Sequence, residues 1–393
     1  MIHHPKGEDA GGGFGRDATR ARPEGVAVLA GEAHRIGAID ELRGLALCAV
    51  VMSHIGLVYG LDTPSAYGLA LPAFGVGVDL FFVISGFVIS RNVAAMKVKA
   101  GGDARTGARA FWMRRFTRIA LPAWATAAAI GVFRMSSGAA NGSSGDLIAG
   151  AGFYANFYWA ACFTEDAPCP DALVASHFWS LALEMQFYAL TPLLAALAPR
   201  RALAAGAIVL ALCAVLQRPV GGFWWSIRPD ALLIGMALAS QAAQRAAWLR
   251  DALPRVSLAQ SIYWVVVVAV FARLASVTGS GLVLLVAALF FGVIVAGRIK
   301  AGPAAGWAAA ALRKGGEASF SAYLVHLPIL TGVHAILRDA DAPMMSLAAA
   351  LAAVVVATML WERAIVKPAA KLGRRLSDAL IIINCKSVSS GRI

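Results

Sequence analysis

The sequence predicts an all-α fold: a polytopic membrane protein of about ten transmembrane helices, with both termini in the cytoplasm. Three observations predict it. The first is composition. Of 393 residues, 59% are hydrophobic and 15% charged, and the mean hydropathy is +0.69. Soluble globular chains carry about 45–50% apolar and about 25% charged residues. The second is a series of apolar segments close to the ~20 residues that a helix needs to cross a bilayer. The third is the distribution of Lys and Arg. With the termini inside, thirty of the 35 fall on the cytoplasmic side. Only Arg134, Arg218, Arg228, Arg273 and Arg338 stay outside, which is a strong positive-inside asymmetry.

The clearest spans are 44–61, 66–90, 177–198, 278–297 and 343–361; weaker ones are 119–140, 202–217, 229–244, 256–273 and 316–337. Helices are expected because hydrocarbon offers no partner to a free backbone amide. No segment alternates apolar and polar residues over about ten positions, as a membrane barrel strand would. Residues 147–163 ("LIAGAGFYANFYWAACF") are uncharged and nearly long enough to cross. A span there would invert every later loop and put most downstream arginines outside. The segment is therefore placed along the outer interface, where Phe153, Tyr154, Phe157, Tyr158 and Trp159 suit the headgroup region.

Residues 1–35 lack apolar periodicity and read as a disordered cytoplasmic leader; 36–370 form the membrane unit and 371–393 a cytoplasmic tail. Basic residues dispersed over short loops are topology signals, so the expected contact is membrane lipid and no nucleic acid. Cys48 and Cys213 fall in spans and read as small packing residues. Cys162 and Cys169 share one outer loop, where a disulfide and two free thiols are both admissible. No Cys/His spacing of zinc-site type occurs, so no metal is expected.

Ionisable groups inside spans are costly and mark cavities or partners. Here they are Arg43, His54, Asp79, Glu184, Arg228 with Asp230, Glu317 and His326. Arg43 and His54 are eleven positions apart. Eleven residues turn a helix through about 1100°, within about 20° of three full turns, so both lie on one face about 16 Å apart. A cation at the inner mouth with a base deeper in suits a channel for an anionic donor. A snorkelling arginine and an interfacial histidine would give the same pattern. Asp79 sits among Gly75, Gly77 and Gly86 and needs a cation, Arg43 or Arg228. Arg114 and Arg118, four apart, share a helix face with Arg115 beside them, and their forks suit phosphate oxygens. His177, at the outer interface, and Glu184 are seven apart, about two turns. Ser319, Ser321, Tyr323 and His326 put hydroxyls and an imidazole into one span, as helix-gluing polar residues also would.

Taken in order, these stretches resemble the acyltransferase-3 family of integral-membrane acyltransferases. The resemblance rests on Arg43-x10-His54, "GVDLFFVISGF" (77–87), "RRFTRIALP" (114–122), "WSLALEMQFY" (179–188), "SFSAYLVHLP" (319–328) and the closing "ERAIVKP" (362–368). Phe320, Met185 and the wide spacing of Glu362 from Pro368 depart from the family pattern. The resemblance implies an acyltransferase of the bacterial inner membrane. It would move an acyl group, usually acetyl from acetyl-CoA, to a carbohydrate hydroxyl such as that of O-antigen or exopolysaccharide. Acyl-CoA would be a donor substrate, with no permanently bound cofactor.

Under that resemblance Arg114, Arg115 and Arg118 hold the CoA phosphates, with Arg43 at the pore entrance. His54 acts on the acceptor hydroxyl, either as a base or by carrying the acyl group itself. Asp79 or Glu184 orients its imidazole. Ser321, Tyr323, His326 and His177 line the acceptor pocket. A transporter of a polar solute is the rival reading, since buried ionisable groups also mark transport paths; no inverted repeat supports it. A small glycosylated metabolite is the alternative acceptor.

Overall fold

The computed structural model describes residues 37–60, 71–136, 144–164, 174–196, 199–219, 221–240, 247–337 and 342–389. The leader at 1–35 and Cys169 lie outside these residues. Helix α1 (Gly37–Tyr59) is followed by a 3₁₀ segment (Leu71–Val76) that runs into α2 (Gly77–Lys99). Next come α3 (Ala104–Ser136), α4 (Gly145–Ala151), α5 (Ala155–Thr164), α6 (Phe178–Ala196) and α7 (Pro199–Val215). The short α8 (Phe223–Ser226) precedes α9 (Pro229–Ala239), α10 (Ala247–Ala252), α11 (Leu258–Thr278) and α12 (Gly281–Ala301). The chain ends in α13 (Trp307–Glu317), α14 (Ser319–Leu337), α15 (Pro343–Trp361), a π-helical turn (Glu362–Val366) and α16 (Lys367–Ser389).

Each of the ten expected spans overlaps one of these helices. Six of the described helices are long and apolar enough to cross a membrane: 37–59, 73–99, 104–136, 281–301, 319–337 and the rod 343–384. The expected span 229–244 is described only to residue 240. Its helix α9 has 11 residues, about 16 Å at 1.5 Å per residue, against a hydrocarbon core of about 30 Å. Residues 147–163 are divided between α4 and α5, of 7 and 10 residues, each too short to cross. The break falls at Phe153, whose φ of 55° is left-handed.

Close approach of backbones organises the bundle. A Cβ on Gly86 would lie 2.0 Å from the Leu232 carbonyl oxygen, and one on Gly235 would lie 2.0 Å from that of Val83. The two absent side chains let α2 and α9 touch along their backbones. Gly44 and Gly316 do the same for α1 and α13, against Leu312 and Asp40. Helix α1 is thus flanked by α2, α13 and α14, which sets the faces of Arg43 and His54 against other helices.

Most of the segment expected as the tail, from 371, lies in the helix α16, which packs on α3. In α16 the buried residues are Ala369, Gly373, Ser377 and Ile381. That strict four-residue step makes one narrow stripe. The stripe lies along α3, where a Cβ on Gly373 would meet Thr117 Oγ1 at 1.9 Å. Arg114 donates to Ser377 Oγ at 2.9 Å and to Asp378 at 2.7 Å, and Lys99 donates to Asp378 at 2.8 Å. Asp103 caps the start of α3. It accepts from the Arg105 and Thr106 amides at 3.0 and 3.3 Å. Hydrogen bonding from the Thr106 side chain and the Arg105 amide holds its carboxyl below the usual carboxylate range.

Two arginines assigned to loops by charge counting are buried within the protein. Arg218 pairs with Asp230 at 2.9 Å, both almost inaccessible, and also donates to the Gly281 carbonyl. Arg298 pairs with Glu41, which also accepts from Arg313 at 2.5 Å. Glu317, expected inside a span, is the exposed last residue of α13. Cys48 is exposed rather than packed, Cys213 is buried, and Cys162 is disulfide-bonded.

Candidate active site

Helices α1, α2, α3, α6 and α14 line a cavity of about 70 Å³. Its polar wall carries Arg43 from α1, Arg115 and Arg118 from α3, Ser180 and Glu184 from α6, and Tyr323 from α14. Among the described residues none of the three guanidiniums forms an ion pair, and the buried Arg43 Nε has no hydrogen-bond partner. Arg115 instead lies over the rings of Phe111 and Tyr188, 5.8 and 5.3 Å from their centroids. Glu184 is already committed to two hydroxyls: Ser85 donates to its Oε1 at 2.6 Å and Tyr188 donates to the same oxygen. Three cations and one carboxylate line the cavity, a balance suited to an anion.

Arg114 is not part of this wall. It points from the adjacent face of α3 to α16 and spends its donors on Ser377 and Asp378. Helical geometry explains the split: neighbouring residues are about 100° apart, whereas Arg115 and Arg118, three apart, return to one face.

Tyr323 joins the cavity to a cluster of three histidines. Its hydroxyl lies 2.5 Å from Ser180 Oγ and donates to the His177 carbonyl at 2.5 Å. Its ring is 5.5 Å from the ring of His177 and 5.6 Å from that of His326. His326 Nε2 is 3.2 Å from His54 Nδ1, and the two rings meet edge to face at 4.9 Å. His54 Nδ1 also lies 2.9 Å from the Val50 carbonyl oxygen, one turn back on α1. His177 and His326 are almost fully buried, and their rings are 5.5 Å apart. His177, expected at the outer interface, is buried among the helices in front of the first turn of α6.

Neither expected orienting carboxylate touches His54. Asp79 pairs with Arg228 at 2.6 Å, which also chooses between the two cations the sequence offered. Glu184 serves Ser85 and Tyr188, as above. Ser321 is buried but turned away from the histidines, donating to Glu362 Oε2 at 2.5 Å. Its neighbours Ser319 and Phe320 reach the cavity instead. Among the described residues no group of three or more His, Cys, Asp or Glu side chains is placed to hold a metal ion.

The family model for the acyltransferase domain of the acyltransferase-3 group matches residues 36–362. The chain belongs to the acyltransferase-3 family. Taken with its long apolar helices, that makes it a multi-pass membrane protein. The acyltransferase-3 chain is 29% identical to YrhL of Bacillus subtilis, which carries the provisional name peptidoglycan O-acetyltransferase. That match covers 52% of this chain and 33% of the relative. It is 28% identical to the peptidoglycan O-acetyltransferase OatA of Listeria monocytogenes, over 40% of this chain and 24% of that one. The matches thus span a third or less of the length of these curated relatives. No solved structure matches it.

Several residues of the acyltransferase-3 site are absent from the sequence-based assignment: Ser85, Ser180 and Tyr188 in the cavity, and His326 as the neighbour of His54. Tyr188 was within reach of sequence reasoning, since it follows Glu184 by four positions and shares its helix face. Ser85 was not, because its contact with Glu184 joins two helices 99 residues apart in sequence.

Proposed function

We propose that this protein transfers a short acyl group, acetyl in the simplest case, from acyl-CoA to a hydroxyl of an envelope carbohydrate, in the inner membrane. The observation that carries the reading is that Arg43 and His54, on one face of α1, lead from an unpaired arginine cluster to a histidine pair. CoA is polyanionic, and Arg43, Arg115 and Arg118 supply charge and forked donors for phosphate oxygens. A cavity of about 70 Å³ has room for a few waters or a two-carbon acyl group. The nucleotide end stays at the arginines, and the thioester points past Tyr323 toward His54.

A carbohydrate hydroxyl is a weak nucleophile until its proton is taken by a positioned base, a role worth typically 10²–10⁴-fold. His54 is the base in this reading. Its ring accepts the acceptor's proton as the alkoxide oxygen attacks the thioester carbonyl. The C–S bond then breaks, and the proton passes to the departing CoA thiolate. The names of the two relatives point to peptidoglycan as the first acceptor to try, ahead of O-antigen and exopolysaccharide.

Purified protein in detergent, given radiolabelled acetyl-CoA and peptidoglycan fragments, should transfer label to glycan. His54→Ala should lower that rate by at least about 10²-fold at unchanged abundance. Full activity in His54→Ala, or no transfer by the intact protein to any envelope glycan fraction, would overturn the reading.

A further inference from the structure

Among the described residues no carboxylate is hydrogen-bonded to His54, yet its ring is held at two points. One is the Val50 carbonyl oxygen, 2.9 Å from Nδ1; the other is His326 Nε2, 3.2 Å from the same atom. His326 is itself held from behind. Its Nδ1 lies 2.8 Å from the Tyr323 carbonyl oxygen and 3.2 Å from that of Ala322.

Hydrogen-bond chemistry turns these distances into proton positions. A carbonyl oxygen only accepts, so His326 Nδ1 must carry hydrogen. A neutral imidazole has one N–H, so His326 Nε2 presents a lone pair. That lone pair faces His54 Nδ1, whose other neighbour is again a carbonyl oxygen. His54 Nδ1 therefore donates, shared between the two acceptors, and its Nε2 is left with the lone pair.

We infer that His326 is a positioning residue for His54: its backbone-anchored imidazole holds His54 as the Nδ1–H tautomer, so that Nε2 is the nitrogen that takes up the acceptor's proton. The inference rests on the reading of His54 as the base. In a Ser-His-Asp triad a carboxylate does this work. Here a neutral ring does it, and no further anion is buried in an apolar interior where an uncompensated charge is costly. When His54 gains its second proton, the Nδ1–H bonds to Val50 and His326 become charge-assisted and strengthen. The effect of His326 thus falls on the transition state more than on donor binding.

Three measurements test this on the full chain in nanodiscs. Nitrogen-15 spectra of histidine-labelled protein, with His54 assigned by subtraction of His54→Gln, should show Nδ1 protonated and Nε2 bare. The opposite assignment overturns the inference whatever the activity of His54 variants proves to be. His326→Ala should lower kcat about 10- to 100-fold, the loss of one hydrogen bond to a charged group, with the acyl-CoA KM within about twofold. His326→Gln, whose side-chain oxygen can accept from Nδ1, should recover most of the loss. An unchanged kcat in His326→Ala, or equal losses in both variants accompanied by a smaller folded fraction, would overturn it. Activity surviving His54→Ala would instead defeat the reading of His54 as the base, leaving the tautomer assignment to stand on the spectra alone.

Discussion

The Arg228 guanidinium meets the Asp79 carboxylate at 2.6 Å inside the bundle, with both side chains at most 7% exposed. Asp79 lies in the first turn of α2 and Arg228 immediately before α9, so the pair ties the two helices whose glycines touch. Arg228 also lies 5.4 Å from the Trp225 ring centroid. Removing one partner of a buried pair strands the other charge, at about 3–5 kcal/mol. Asp79→Ala should therefore lower abundance and the unfolding temperature in detergent, and Asp79→Asn should do so less. A variant as stable as the parent but inactive would assign Asp79 to the chemistry instead.

The contact of α2 with α9 gives a second expectation. A methyl on Gly86 or Gly235 would sit 2.0 Å from a backbone oxygen. A backbone atom, unlike a side-chain tip, has no rotamer to escape into. Gly86→Ala and Gly235→Ala should each force the helices apart and lower the unfolding temperature, while Gly206→Ala, with open space around it, should not. Thermal unfolding followed by tryptophan fluorescence would show the contrast.

The three neighbouring arginines of α3 should separate in kinetics. Arg115 and Arg118 face the cavity, whereas Arg114 is bound to α16. Arg115→Ala with Arg118→Ala should raise the acyl-CoA KM by about tenfold or more, as expected for loss of charge-assisted bonds of about 1.5–3 kcal/mol each. Arg114→Ala should leave KM unchanged and expose the segment after residue 366 to protease, as should Asp378→Ala. Equal KM effects from all three arginines would reduce them to a shared electrostatic field.

Acyl-chain selectivity follows from the aromatic wall of the cavity. Phe81 lines it and lies 6.5 Å from the Tyr323 ring. Phe81→Ala should enlarge the space beside Tyr323 and raise the rate with butyryl-CoA relative to acetyl-CoA. Parallel steady-state assays with the two donors would measure the ratio, and an unchanged ratio would place the acyl group elsewhere.

Much of this protein was legible in its sequence because hydrocarbon imposes one-dimensional rules. Apolar runs of span length, and the absence of alternating strands, dictated helices; the order of motifs from Arg43 to Glu362 indicated the family. Helical periodicity put Arg43 with His54 on a common face, but its pairing of Arg114 with Arg118 did not carry over to the cavity, which takes Arg115 and Arg118. What periodicity cannot specify is which face meets which neighbour. That is decided by close packing between segments far apart in the chain, and by the need of each buried charge for a partner. Tertiary contact therefore selected Arg228 for Asp79, buried the loop residue Arg218 against Asp230, and turned Arg114 from the cavity to α16. It also set His326, 272 residues away, where a carboxylate was expected beside His54.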